Sequence, residues 1–310
     1  MDVQPLVSIV IPVFNRETLV QEAIESALKQ TYDNIEIVVV DNCSTDKTWE
    51  VLQKYNNPKI KIFRNNTNIG PVLNWKKGIE LSSGEYIKLL FSDDMISEDF
   101  VEESMKLFDD ETAFVLSPIQ FVKNGMCDSP IPLGKAIYTR EEYFTNFYTQ
   151  FSAEFPVSPG ASIFRKIDVV NAFICEIPTM GNLDPMKNGA GIDLLIFFVI
   201  ANKYDKIKVA KKSSALFRAH EGSFSIADST ISHYYFRAMI YYLQYLKNKR
   251  LYYYFKTYLL RCSLRDKSYQ TEFNMLETDT SFILKLLVLL PHYYLKRAAT
   301  KWQRNFRLKK

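Results

Sequence analysis

The chain has 310 residues, of which 47% are hydrophobic and 24% charged, with a formal net charge of +4. That balance belongs to a folded protein and excludes disorder, and the length allows one large domain or two smaller ones. The charge is uneven. Residues 291–310 carry Lys296, Arg297, Lys301, Arg304, Arg307, Lys309 and Lys310 and no acid, so removing this +7 tail leaves the remainder at −3. Cys43, Cys127, Cys175 and Cys262 lie far apart and form no CxxC pair, which favours free thiols in a reducing compartment over disulfides or a zinc site. The start, Met1-Asp2-Val3-Gln4-Pro5, is acidic and leads straight into a strand, so no secretory signal is expected. The longest apolar run, Phe282 to Leu290, contains Lys285 and stops at Pro291. It falls short of the roughly 20 apolar residues that a spanning helix needs.

Val7-Ser8-Ile9-Val10-Ile11 predicts a buried strand closed by Pro12 and the loop Val13-Phe14-Asn15-Arg16. Apolar residues at helical spacing from Leu19 to Leu28 predict an amphipathic helix over 17–29, with Asn15 as its cap. A second strand, Ile35 to Val40, ends in Asp41-Asn42-Cys43-Ser44-Thr45-Asp46, and Trp49 to Tyr55 predicts a helix. Ile60 to Phe63 is a third strand, followed by Asn65 to Gly70 and a helix with Pro71 in its first turn. A fourth, Tyr86 to Phe91, is entered from the turn at Gly84 and ends abruptly in Asp93-Asp94, with Ser97 as the expected cap of the next helix.

This alternation predicts right-handed crossovers and a mainly parallel sheet. Three strands end in polar loops at one edge, where ligands of such sheets gather. Hard divalent cations want oxygen ligands, and phosphates want the cation, so Asp93 and Asp94 suit a metal held against a diphosphate. Their plain alternative is a polar turn favouring a helix dipole. No GxGxxG follows the first strand and no GxxxxGK[ST] occurs, so a bound nucleotide would not rest on a glycine-rich phosphate loop.

Val7 to Arg16, Asp41 to Asp46, Asn68-Ile69-Gly70, Gly84-Glu85-Tyr86 and Ser92-Asp93-Asp94, in this order, resemble the family 2 glycosyltransferases of the GT-A fold. The likeness is close over the first third of the chain and thinner beyond. It implies an α/β protein with a mainly parallel (mixed) sheet flanked by helices and a C-terminal helical extension. Residues 1–228 would form the GT-A domain, with 1–120 the nucleotide-sugar half and 121–228 the acceptor half, and 229–310 the helical, Tyr-rich, basic region. By the same resemblance Pro12, Phe14, Asn15, Arg16, Asp41, Asn42, Asn68, Gly70 and Asp93 would bind the nucleotide-sugar. Asp41, with Pro12 and Phe14, would hold a base, most often uracil. Asn42 stands where the family often has Gly, and Ser92-Asp93-Asp94 lacks the first acid of the family's Asp-x-Asp motif. Asp94 and His220 would ligate Mn2+ or Mg2+.

Ser158 to Arg165 resembles the family segment that crosses the acceptor side. The Gly-, Pro- and Asn-rich stretch from Ile177 to Gly191 suits a mobile surface loop. Asp193 opens the apolar helix Leu194 to Ile200, where Asp is also a preferred cap. The resemblance makes it the general base, and both roles coexist only if one carboxylate oxygen stays free.

From Tyr234 to Tyr258 tyrosines crowd the chain, suiting either helix packing or a membrane interface. Leu295, Ala299, Trp302 and Phe306 share one helical face and Arg297, Lys301 and Arg304 the other, which suits a basic amphipathic membrane anchor; nucleic acid is not expected. The expectation is an inverting glycosyltransferase using a UDP-sugar. It would act on a glycan acceptor, lipid-linked, in bacterial lipopolysaccharide or capsule synthesis, and be peripheral on the cytoplasmic face of the cell membrane. Self-association stays open. Alternatives are a catalytically silent glycan- or membrane-binding protein, or a sugar nucleotidyltransferase, which would carry a glycine-rich basic loop where this chain has Pro12-Val13-Phe14-Asn15.

Overall fold

The computed structural model describes residues 4–123, 126–151, 155–218 and 230–276. The first half alternates as expected: β1 (Val7–Val13), α1 (Val20–Leu28), β2 (Ile35–Asp41), α2 (Thr48–Leu52), β3 (Ile60–Arg64), α3 (Pro71–Leu81), β4 (Tyr86–Leu89). Then follow β5 (Met95–Ile96), α4 (Phe100–Met105), β6 (Thr112–Leu116), β7 (Ile119–Lys123), β8 (Met126–Cys127), β9 (Ile137–Thr139), α5 (Arg140–Gln150) and β10 (Ser162–Arg165). The remaining elements are α6 (Lys166–Asn171), α7 (Ile192–Ala201), β11 (Lys206–Val209), β12 (Ala215–Arg218), α8 (Ile231–Leu246), α9 (Lys249–Arg265) and α10 (Gln270–Met275).

Eight strands form the main sheet in the order β3-β2-β1-β4-β10-β6-β11-β9. β3, β2, β1 and β4 run parallel, and β10 enters antiparallel to both β4 and β6. The mixed sheet is as expected. The small sheet β5-β12-β7-β8 was not anticipated, because its strands are short and come from distant parts of the chain.

Every residue of β1 and β2 is buried, as strands covered on both faces must be. Ile9, Ile11, Ile37 and Val39 face a core shared with α1 and α4. Val10, Val38 and Val40 face the larger core, which continues through α3, α5 and α7 into α8 and α9. α7 is buried along nearly its whole length. Each large apolar side chain fully removed from water there contributes roughly 1.5–3 kcal/mol. α8 and α9 therefore join the same core as the sheet. Tyr234, Tyr235, Tyr242 and Tyr254 are buried, and the Tyr148 and Tyr242 phenols donate to the Met239 and Phe198 carbonyls. Most of the tyrosine cluster is packing; Tyr245 remains exposed.

Two expected caps are corrected. Asn15 lies in the left-handed region (φ 51°) and its Oδ1 accepts from the Thr45 amide at 2.9 Å, tying the loops after β1 and β2 together. Ser97 precedes the α4 start by two residues more than a cap would; its Oγ donates to Asp99 and accepts from the Ser214 amide. Both polar side chains found tertiary partners, which outweigh a local cap.

Candidate active site

Outside the carboxyl ends of β1, β2 and β4 opens a cavity of about 800 Å³. It brings together Pro12, Phe14, Arg16, Asn42, Asn68, Asp93, Asp94 and Asp193 from the expected set. Asn15, Asp41 and Gly70 are not part of its lining. His220, residues 282–290 and the basic tail lie outside the described residues.

On the β1–β3 side, register explains the chemistry. Asp41 pairs in the ladder with Arg64, so the two side chains share a face. The fully buried Asp41 carboxylate receives Arg64 Nε at 3.1 Å and the Ser44 amide at 3.2 and 3.3 Å. It shapes the loop behind the lining. Asn42 has its whole amide engaged: Nδ2 donates to Asn68 Oδ1 (2.8 Å) and the Gly70 carbonyl (3.3 Å), while Oδ1 accepts from Asn65 (2.9 Å) and the Ile69 amide (3.0 Å). A side-chain amide has no more than these two donors and two acceptor sites. The resemblance gives Asn42 to nucleotide-sugar binding; in this structure its amide is a bracket for the 65–70 loop. Asn65 in turn donates to Asn74 Oδ1 at 2.9 Å, and Asn74 to the Val40 carbonyl at 3.0 Å. Gly70 (φ 82°) opens α3 immediately before Pro71, a backbone conformation that only glycine adopts freely.

At the end of β4 the chain turns through Ser92-Asp93-Asp94. Arg16 Nη2 lies 3.5 Å from Asp93 Oδ2. Asp94 Oδ1 accepts the Arg218 amide at 2.9 Å, and Arg218 Nε donates to the Asp93 carbonyl at 3.2 Å, so β12 fixes the turn. Desolvation and the neighbouring Asp93 push the Asp94 carboxyl up to about 7. Beneath the turn Lys88, fully buried, donates to the Gly160 carbonyl and lies 4.3 Å from the centroid of Phe100. Burial holds its ammonium down to about 7, opposed by Asp94. A raised carboxyl beside a second carboxyl is the arrangement that a divalent cation relieves, and both oxygen donors are hard. The two residues fit a metal held jointly with other oxygen ligands. Among the described residues no group of three or more His, Cys, Asp or Glu forms a closed cage.

The far wall comes from the segment expected to be a mobile loop. It folds instead into two short 3-10 turns, Pro178–Met180 and Pro185–Lys187, with Met180, Pro185 and Ala190 buried. Gly189 (φ 83°) lets the backbone lie on Trp75: a Cβ there would stand 2.0 Å from Cη2 of the indole. Asp193 follows in the first turn of α7. Its Oδ1 accepts the Gly191 and Leu194 amides, both at 2.8 Å, and its Oδ2 accepts the Tyr235 phenol at 2.9 Å. Burial pushes its carboxyl up to about 7 against those three hydrogen bonds. The condition set by the sequence, one carboxylate oxygen left free, is thus not met. Neither oxygen is free of bonds, but two oxygens offer about four acceptor positions and three are filled.

Arg218, Trp75, Lys88 and Tyr235 were assigned no role from sequence. Lys88 carried a signal, as the one charged residue in the run Tyr86 to Phe91. Tyr235 carried none among its neighbouring tyrosines.

The mixed sheet with its edge cavity is a GT-A-type fold. S. aureus TarS 1-349, solved in complex with UDP-GlcNAc, superposes with a TM-score of 0.63 at 20% identity, covering 93% of this chain and 78% of that one. Residues 8–169, just over half the chain, match the family model described as "Glycosyl transferase family 2". The chain belongs to that family. A relative from Haemophilus influenzae named "Uncharacterized glycosyltransferase" is 39% identical over 103 residues, covering 33% of this chain and 41% of its own length. The Escherichia coli "UDP-Glc:alpha-D-GlcNAc-diphosphoundecaprenol beta-1,3-glucosyltransferase WfaP" is 39% identical over 89 residues, 29% of this chain and 36% of its own. The Bacillus subtilis "Putative teichuronic acid biosynthesis glycosyltransferase TuaG" is 29% identical over 141 residues, 44% of this chain and 54% of its own. The matched stretches thus span about half or less of these relatives' lengths.

Proposed function

We propose that the protein transfers a sugar, with inversion, from a UDP-sugar to a hydroxyl of a lipid-linked glycan acceptor in bacterial surface polysaccharide synthesis. The observation that carries this reading is one cavity lined both by a carboxylate pair, Asp93 and Asp94, and by a third carboxylate, Asp193. Phe14 at the mouth and Pro12 flank the base, while Asn68 lines its pocket, held by Asn42. Asp41 acts through Arg64 and the 42–45 loop. Arg16 and Arg218 offset the charge gathered at the acidic turn.

Asp94 with Asp93 would hold Mn2+ or Mg2+, which when bound offsets the negative charge growing on the departing diphosphate. Asp193 accepts the proton of the acceptor hydroxyl at the unfilled position on Oδ2. The hydroxyl oxygen bonds to the anomeric carbon as the bond from that carbon to the diphosphate oxygen breaks, and the electron pair leaves with the diphosphate. A single displacement inverts the centre. A lipid-linked acceptor and a polysaccharide product are supported by the names of the Escherichia coli and Bacillus subtilis relatives. A cytoplasmic, membrane-peripheral position follows from such an acceptor; no helix among the described residues is long and apolar enough to cross a membrane. The test is release of UDP from UDP-glucose and UDP-GlcNAc, with and without undecaprenyl-diphosphate-linked sugar. Release by wild type that is lost in Asp193→Asn, with UDP binding kept, is expected. UDP bound but never released from either donor would favour a silent binding protein.

A further inference from the structure

From the packing of α8 on the start of α7, we infer that Tyr235 is a positioning residue for Asp193, so that the C-terminal helices complete the catalytic centre. The inference rests on the reading of Asp193 as the base and adds to it a partner from α8, which follows the last strand of the sheets.

The geometry is built from several independent constraints. α8 approaches the first turn of α7 so closely that a Cβ on Gly191 would stand 3.1 Å from the Tyr234 carbonyl and 3.3 Å from the Ala238 side chain. Gly191 has φ 87°, so the position is a glycine position twice over, by space and by backbone. The same helix is pinned from its other side. Thr179 Oγ1 donates to the Arg237 carbonyl at 2.7 Å, Arg237 Nη1 donates to the Met180 carbonyl, and Arg237 Nε meets the buried Glu272 of α10 at 2.7 Å. His233 Nδ1 lies 3.1 Å from the second Glu272 oxygen. The outcome is that Tyr235, buried apart from its cavity edge, holds its phenol 2.9 Å from Asp193 Oδ2. Both residues line the cavity, as does Ile231 one turn earlier on α8.

The chemistry of that bond is directional. The phenol stays protonated, since burial and Asp193 raise it well above its ordinary 10, so toward the ionised Asp193 carboxylate it donates. It fixes the carboxylate rotation and leaves one acceptor position on Oδ2 for a substrate hydroxyl. Donation to the charged form also favours the ionised carboxylate against the desolvation that disfavours it. Among the described residues, the charged groups on the surrounding elements make no bond to Asp193. Lys187 and Asp184 lie on the preceding segment; His233 and Arg237 on α8 are engaged by Glu272 of α10; Asp168 of α6 pairs with Lys203. Asp93, Asp94, Arg16 and Arg218 interact with one another on another wall. Among the described residues, Tyr235 is thus the side chain that bonds the carboxyl directly.

The experiment is a pH titration of the buried carboxyl by infrared difference spectroscopy on the full chain, with the Asp193 band identified by its loss in Asp193→Asn. Tyr235→Phe removes only the hydroxyl and is expected to move the midpoint up by about one unit, as a hydrogen bond to a charged group would. Site-specific 3-fluorotyrosine at 235, a more acidic donor, is expected to move it down, and it keeps the test open should the phenylalanine variant fold poorly. The acid limb of UDP release from UDP-glucose or UDP-GlcNAc should follow the same order. An unmoved midpoint in both variants would overturn the inference, whatever their stability. If the midpoint moves but Asp193→Asn turns over normally, the base assignment fails and the catalytic meaning of the bond fails with it. If the midpoint stays while Asp193→Asn is inactive, Tyr235 alone is dismissed.

Discussion

The two sides of the cavity are held by different kinds of structure. On the side of β1, β2 and β3, the loops that directly follow these strands are laced by short polar bonds, Asp41 to Arg64 and the four asparagines 42, 65, 68 and 74. On the Asp193 side, one carboxylate is placed by helix packing, through Gly189 on Trp75, Gly191 on α8 and Tyr235 on Asp193. The first side tolerates small shifts because many bonds share the load. The second depends on close approach of backbones, where a single methyl group matters.

The largest effect should come from Asp193→Asn: a fall in turnover of about 10²- to 10⁴-fold, the usual worth of general-base catalysis, with nucleotide affinity unchanged by calorimetry. Comparable turnover would erase the proposed division of labour. Next is a pair of alanine substitutions. Gly189→Ala drives a methyl group into the Trp75 ring from a left-handed backbone and should cost about 2–4 kcal/mol in urea unfolding. Gly70→Ala on the β1–β3 side meets nothing nearer than the Met186 carbonyl at 3.7 Å, so only backbone strain of about 1–2 kcal/mol is expected. Equal losses at both positions would break the comparison.

Asn42→Ala should lower stability by about 1–3 kcal/mol through the partners it strands, and weaken UDP, GDP and CDP by similar factors. Selective loss for one base would restore Asn42 as a reader of the base. The remaining prediction concerns pH. The unfolded Asp193 ionises near 4, whereas the folded carboxyl keeps its proton until about 7. Activity should therefore rise with pH through about 7. Stability should fall as pH rises between those two values, because the unfolded state releases its proton first. Asp193→Asn should remove that part of the slope, read from melting temperatures across the range.

Legibility in the sequence follows the same divide. β1 to β4 and their loops were readable because each strand, turn and helix is encoded within a few residues, and parallel connectivity then places the loops at one edge. The cavity's Arg16, Asp93 and Asp94 emerged that way, and Asn68 from the family resemblance. What failed were second partners. Asn15 and Ser97 suit helix caps locally, yet Thr45 and Ser214, far off in sequence, claim them. The small sheet joins β5, β7, β8 and β12 through pairings of two to four residues, too short for periodicity to mark. Tyr235 lies 42 residues from Asp193 in a helix crowded with tyrosines, and only docking distinguishes it.

The central claim is that Asp93 and Asp94 form the metal-assisted nucleotide end of this cavity. Calorimetric titration with UDP, GDP and CDP, with and without manganese, on wild type, Asp94→Ala and Asp193→Asn tests it most directly. UDP binding that needs manganese, weakens at least tenfold in Asp94→Ala and persists in Asp193→Asn is the predicted result. Binding of no nucleotide, or UDP binding indifferent to both manganese and Asp94, would contradict it.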